Sequence, residues 1–186
     1  MARKGYLVLL RGINVGGKNK IPMAALKLFL EEQGFSDVTT YIQSGNVVLR
    51  SELAAKAVAA TIEDGLTKRF ALDTAVINIL VLTGKQLRAT VDNRPKGFGD
   101  QPAKYRSDVL FLIDIKADDA LKDFAPKEGV DNVWPSGPAI YAQRLSAKRT
   151  KSRLNRIMST PAYKSMTIRN WSTTTKLLEM LEGLRS

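Results

Sequence analysis

The chain contains no cysteine and no histidine. Without cysteine there is no disulfide framework, no thiol nucleophile and no thiolate metal site. Without histidine there is no Ser-His-Asp triad, no imidazole acid or base, and no His-ligated zinc or iron. Long apolar runs are missing too: no stretch approaches the roughly 18 to 20 unbroken apolar residues of a membrane span. The run at 6–10 is too short for the core of a signal peptide and lacks a small-residue cleavage site. A cytoplasmic protein with no membrane partner is expected. Chemistry is then left to Lys, Arg, Ser, Thr, Tyr, Asn and carboxylates. The carboxylates are not clustered. Glu31-Glu32 and Glu63-Asp64 fall inside predicted helices, where neighbours point to different sides, and Asp118-Asp119 falls at a helix start, where negative charge suits the helix dipole. No metal and no cofactor is expected.

What is present in excess is positive charge. The 186 residues carry a net charge of +11. Residues 132–178 hold no Asp or Glu but nine basic side chains, and residues 1–30 are also acid-free, with six. Positive regions without internal neutralisation point to an anionic partner, either a phosphate-bearing small molecule or nucleic acid. General solubility is the plainer explanation of the same charge.

Periodicity gives an α+β pattern. A strand is expected at 6–11, then a polar glycine-bearing loop at 12–20, then a helix opened by Pro22 and ended by Gly34, with Phe35 as the contact of a glycine C-cap. Two strands at 38–42 and 47–50 flank a hairpin turn at 43–46. A second helix at 53–70 repeats Val58, Ile62 and Leu66 at helical spacing, a strand follows at 75–82, and Thr83 with Gln86 has the form of a capping box. The order is βαββαβ, a ferredoxin-like unit. After a linker at 93–104 the pattern repeats: strand 108–115, short helix 117–124, strands 130–134 and 139–143, a basic helix at 150–159, strand 165–170, and a last helix capped by Ser172 or Thr173. Ser44-Gly45 and Ser136-Gly137 lie 92 residues apart, whereas Val8 and Leu110 lie 102 apart. The chain thus reads as two tandem ferredoxin-like subdomains from a duplication, 1–92 and 105–186, the first with an inserted loop at 12–20.

Three polar segments are candidates for chemistry. In the first, Gly12, Gly16 and Gly17 permit left-handed backbone and close ligand approach, beside Arg11, Asn14, Lys18 and Lys20. The spacing is neither a P-loop nor a dinucleotide fingerprint. In the second, Gln43, Ser44 and Asn46 sit on the hairpin, with an amide that a turn alone does not require. In the third, Arg169, Asn170 and Trp171 join a strand end to a helix N-terminus, an arrangement suited to anions. Separately, Lys148, Arg149, Lys151, Arg153 and Arg156 would line the basic helix. Only Tyr6 falls on the strands that carry base-stacking aromatics in RNA-binding relatives of this pattern, and the second half offers Phe111 and Tyr141, one per strand. A stacking RNA sheet is not expected.

The segments 10–17, 20–23, 41–46 and 167–171 resemble signatures of the bacterial family called domain of unknown function 1697. The resemblance implies a two-lobed ferredoxin-like architecture and brings no activity, substrate or catalytic residue. This chain has Ser172 after Trp171 where the family pattern has Asn, and it matches the pattern's Ser-Lys-Leu near the basic helix only as Ser152-Arg153-Leu154. The leading expectation is a binding protein for a phosphate-bearing, nucleotide-like ligand, held by the first two segments and by Arg169, Asn170 and Trp171 if the lobes face each other. The alternatives are a nucleic-acid-binding protein using the basic helix and a ligand-free interaction module. Catalysis and oligomeric state stay open.

Overall fold

Strand β1 (Lys4–Leu10) is apolar on both of its faces, and Tyr6, Leu7, Val8, Leu9 and Leu10 are all buried. Such a strand belongs in the middle of a sheet, and it pairs antiparallel with β3 (Asn46–Ser51) on one side and β4 (Ile79–Thr83) on the other. β2 (Ser36–Tyr41) completes the sheet in the order β2-β3-β1-β4. The structure is a computed structural model and describes residues 2–184. The chain divides into two compact units, residues 1–88 with 176–186, and residues 89–175. The division differs from the contiguous boundaries expected from the sequence, because the chain from Lys176 onward belongs to the first unit.

In the first unit, α1 (Met23–Glu32) and α2 (Ala55–Arg69) cover one face of the sheet. Leu26, Phe29 and Leu30 meet Val58, Ile62 and Leu66 over Tyr6, Val8 and Leu10. Each such side chain contributes about 1.5–3 kcal/mol by leaving water. Gly65 is required where α2 approaches α1, since a Cβ there would lie 2.7 Å from the ring of Phe29. α1 ends as expected: Gly34 is left-handed at φ 87°, its N–H donates to the Glu31 carbonyl, and the Phe35 N–H donates to the Leu30 carbonyl, the paired bonds of a Schellman motif. The capping box also forms, with the Gln86 N–H donating to Thr83 Oγ1 at 3.2 Å and the Thr83 N–H to Gln86 Oε1 at 2.9 Å, at the start of α3 (Gly84–Asp92).

The second unit holds β5 (Tyr105–Leu112), α4 (Ala117–Leu121), β6 (Asp131–Ser136), β7 (Ala139–Leu145) and β8 (Met166–Asn170), in the sheet order β6-β7-β5-β8. α5 (Trp171–Gly183) ends the fold. Leu110, Leu112, Ile140, Ala142, Leu154 and Ile157 form a core on one face of this sheet. Phe98 sits among Tyr141, Trp134 and Trp171, with ring centroids 5.2, 6.2 and 5.4 Å away in edge-on geometry.

Two expectations need correction. The strand predicted at 75–82 begins only at Ile79; ahead of it the Asp73 and Thr74 N–H groups donate to Asn19 Oδ1, and the Asn78 carbonyl accepts from the Arg11 N–H. The basic helix predicted at 150–159 is instead a series of 3₁₀ turns, Ser146–Lys151, Leu154–Ser159 and Pro161–Ser165. An α-helix would set Arg149 against Arg153 one turn on, a like-charged pair that destabilises by about 0.2–0.5 kcal/mol. The Arg153 N–H goes instead to the buried Asp131 carboxylate at 2.8 Å. The Leu154 N–H goes to Ser152 Oγ at 3.3 Å. Such local side-chain acceptors offer the backbone an alternative to helical bonds.

Candidate functional site

The loop at 11–20 leaves β1 and doubles back before α1. Gly12, Asn14, Gly16, Gly17 and Asn19 all take positive φ, between 47° and 78°. Gly16-Gly17 makes the tip, where the Lys18 N–H donates to the Val15 carbonyl at 3.1 Å. Glycine and asparagine are the residue types that enter this region at least cost.

Side-chain amides hold the loop in place. Asn14 Nδ2 donates to the carbonyls of Ile21 and Gln43 at 2.9 and 3.0 Å, and its Oδ1 accepts from the Ile21 N–H at 2.8 Å. Asn19 is buried. Its Nδ2 donates to the Gly12 carbonyl, and its Oδ1 accepts from the Asp73 and Thr74 N–H groups, while its own N–H donates to the Asp73 carboxylate. The side chains of Ile13 and Ile21 are buried beneath.

The hairpin turn is fastened to the same end of the sheet. The Leu10 N–H donates to the Gly45 carbonyl at 2.8 Å, and a Cβ on Gly45 would lie 2.8 Å from the Leu10 carbonyl oxygen. Asn46 is fully buried, with its amide donating to the Tyr41 carbonyl and to Ser44 Oγ. Ile42 is unusual: it is β-branched, sits at φ 49° and is 51% exposed. Its side chain disfavours that backbone, at a cost of about 1–3 kcal/mol.

Between loop and hairpin lies an open cleft of about 350 Å³, lined by Asn14, Gly17, Lys20, Ile21, Pro22, Met23 and Gln43. Lys20 and Gln43 are exposed there. The cleft also contains the start of α1, whose N-cap is Pro22, a residue with no side-chain hydrogen bond to offer the first turn. That turn carries no acidic residue, so the positive dipole end of α1 is not offset by a neighbouring carboxylate where Pro22 and Met23 line the cleft. Of the first two predicted segments, Asn14, Gly17, Lys20 and Gln43 are thus brought together. Gly12, Gly16 and Lys18 are exposed elsewhere on the loop, and Arg11, whose N–H donates to Asn78, lies at its root. Ser44 sits within the turn and Asn46 begins β3.

Arg169, Asn170 and Trp171 lie in the second unit and serve that unit's structure. Arg169 is buried, with Nη1 donating to Thr167 Oγ1 and the Ile168 carbonyl, and burial pushes its guanidinium pKa down to about 10. Asn170, rather than Ser172 or Thr173, caps α5. Its Oδ1 accepts from the Thr173 N–H at 2.7 Å and from Ser172 Oγ at 3.0 Å. Asn170 occupies the strand end, just ahead of the expected caps, so its amide is spent on the helix. Trp171 packs against Phe98 beneath the Arg94 guanidinium, and a Cβ on Gly99 would collide with it. Asn170 and Trp171 also line a second cleft of about 380 Å³ with Tyr105, Arg106, Ser107, Ser146 and Thr175.

A third cleft, of about 440 Å³, escaped the sequence reading. Gly5, Arg50, Gly84, Lys85, Arg88, Leu181, Glu182 and Leu184 line it. Arg88 is paired with Glu182, and Arg50 donates to the Leu184 carbonyl. No motif marks residues so scattered along the chain. Among the described residues no acidic cluster could hold a metal ion, and no helix is long and apolar enough to cross a membrane.

Comparison with known proteins gives a relationship without an activity. No curated protein matches the chain. A conserved bacterial protein, SP0830 from Streptococcus pneumoniae, is similar in structure, with a TM-score of 0.79 and 25% sequence identity over 97% of this chain and 99% of that one. The small subunit of acetolactate synthase from Thermotoga maritima aligns at a TM-score of only 0.24 with 14% identity, over 91% of this chain and 98% of that one, too weak a likeness to carry an argument. The family described as Protein of unknown function (DUF1697) matches residues 3–141, which takes in the glycine loop and the hairpin but not the segment at 167–171, and the chain belongs to that family.

Proposed function

We propose that the protein binds a phosphate-bearing small molecule in the cleft between the loop at 11–20 and the hairpin turn. The observation that carries this reading is the meeting of Lys20, Gln43 and the uncapped start of α1 in one open cleft. A helix N-terminus offers N–H donors and a partial positive charge, Lys20 adds a full one, and the Gln43 amide gives a neutral group for a sugar or base. The effort spent on the loop and the hairpin turn supports a functional purpose. Two buried or half-buried asparagines, two buried isoleucines and a strained Ile42 maintain a surface that a plain connection would not need. Lys18 and Arg11 contribute positive potential around the cleft.

Each unit is, on this reading, a ferredoxin-like βαββαβ fold, and the two descend from a duplication. The shared strand order, β2-β3-β1-β4 and β6-β7-β5-β8, supports it. The insertion in the first copy then carries the ligand.

The test is a titration of the ¹⁵N-labelled protein with inorganic phosphate, a nucleoside monophosphate and a sugar phosphate. Amide resonances of Met23, Ala24 and Ala25 shift on binding, together with those of Lys20 and Gln43. Shifts confined to other parts of the chain refute the site.

A further inference from the structure

We infer that the segment from Lys148 to Arg156 is a docking surface for the phosphate backbone of nucleic acid, separate from the cleft beside α1. The first ground is a contrast in how the cations are used. Elsewhere several basic side chains have an acid within reach: Lys27 has Glu31, Lys68 has Asp64, Arg88 has Glu182, Arg94 has Asp100, Lys122 has Asp119 and Lys176 has Glu179. Lys148, Arg149, Lys151, Arg153 and Arg156 are all exposed, and among the described residues none of their side chains forms an ion pair. The sequence supplies no acid to pair with them from 132 to 178. Five like charges in nine residues repel one another, and an anionic partner relieves that repulsion.

The second ground is that the segment is anchored, not a loose tail. Leu154 and Ile157 are buried in the core of the second unit, on the side away from solvent. Asp131, itself buried, accepts the Arg153 N–H at 2.8 Å and the Lys127 N–H at 3.0 Å, tying the turn to the start of β6. Arg144 donates to Asn155 Oδ1 at 2.9 Å and braces the segment from β7. Anchored cations lose less conformational entropy when they meet a rigid polyanion. The segment has no aromatic for base stacking. The contact is therefore with phosphates, is indifferent to base sequence, and falls steeply with salt.

The test uses the full chain and short labelled probes: duplex DNA, duplex RNA, and, as a different polyanion, vesicles of anionic lipid. Engagement of four phosphates of duplex DNA gives a slope of about −3.6 in log K against log salt, a weakening of roughly 150-fold between about 50 and 200 mM. The variant Arg149→Ala/Lys151→Ala/Arg153→Ala makes that slope shallower by about three. A matched variant, Lys27→Ala/Lys68→Ala/Lys122→Ala, removes the same charge from paired positions and changes it little. The DNA and RNA arms tell which duplex is preferred, and binding to either supports the surface. It is overturned if neither duplex binds at the lower salt, if both triple variants weaken binding equally, or if the vesicles bind and the duplexes do not. Phosphate binding at the α1 cleft is measured independently, so either proposal can fail alone.

Discussion

Replacing Asn14 by alanine separates an architectural residue from a ligand contact. The side chain makes three hydrogen bonds, two with Ile21 and one with Gln43. The Ile21 pair is partly buried and contributes about 1 kcal/mol each, whereas the more exposed Gln43 bond contributes about half that. Asn14 also sits at φ 55°. Alanine in that region costs about 1 kcal/mol. The total is about 3.5 kcal/mol, which for a chain of this size lowers the thermal midpoint by roughly 7–14 °C. Asn14→Gly loses the same bonds but relieves the backbone, so it should recover about 1 kcal/mol relative to alanine. Urea and thermal unfolding followed by circular dichroism measure both. If Asn14→Ala unfolds within about 0.5 kcal/mol of the parent, the range of an ordinary surface change, the amide does not hold the loop, and the reasoning that built the cleft is wrong.

Other outcomes follow from the same physics. Gly45→Ala should cost about 2–4 kcal/mol, combining left-handed strain with contact against Leu10. Gly97 sits at φ 83° with open space around it. Gly97→Ala should therefore cost only about 1 kcal/mol, and paired denaturation curves compare the two. Asn170→Ala should lose about 1 kcal/mol as the cap of α5, and Ser172→Ala distinctly less, which reverses the order expected if Ser172 were the cap. Burial pushes the Tyr141 phenol above its usual pKa, against the opposing Ser136 hydrogen bond. The folded state then keeps a proton that the unfolded chain gives up, so stability is full below about pH 10 and falls as pH rises further. Tyr141→Phe should flatten that alkaline limb in a pH series of unfolding midpoints.

The elements with strong periodicity were legible from the residues alone. The α1 C-cap and the Thr83 capping box depend on neighbours within a few positions, so the sequence displays their whole mechanism. The basic segment misled because helical spacing of Leu154 and Ile157 is visible, while the competing carboxylate of Asp131 is 22 residues away. The site was half legible. The glycines announced unusual backbone, and Lys20 and Gln43 were named among the candidates. Asn14 looks identical in sequence whether its amide faces a ligand or a carbonyl, and the partners of Asn19 lie 54 and 55 residues on. Arg169 and Trp171 read as ligand groups because strand end, cation and helix start are adjacent in sequence, but burial and the packing of Phe98 are set by distant parts of the chain.

The most direct measurement is the unfolding midpoint of the parent and of Lys20→Ala with inorganic phosphate, nucleotides and sugar phosphates in excess. A ligand at about 100 times its dissociation constant stabilises the folded state by about 2.7 kcal/mol. Binding in the cleft predicts a raised midpoint with at least one of these compounds in the parent and a shift lost or greatly reduced in Lys20→Ala. No shift with any compound, or an equal shift in the variant, would contradict a phosphate site beside α1.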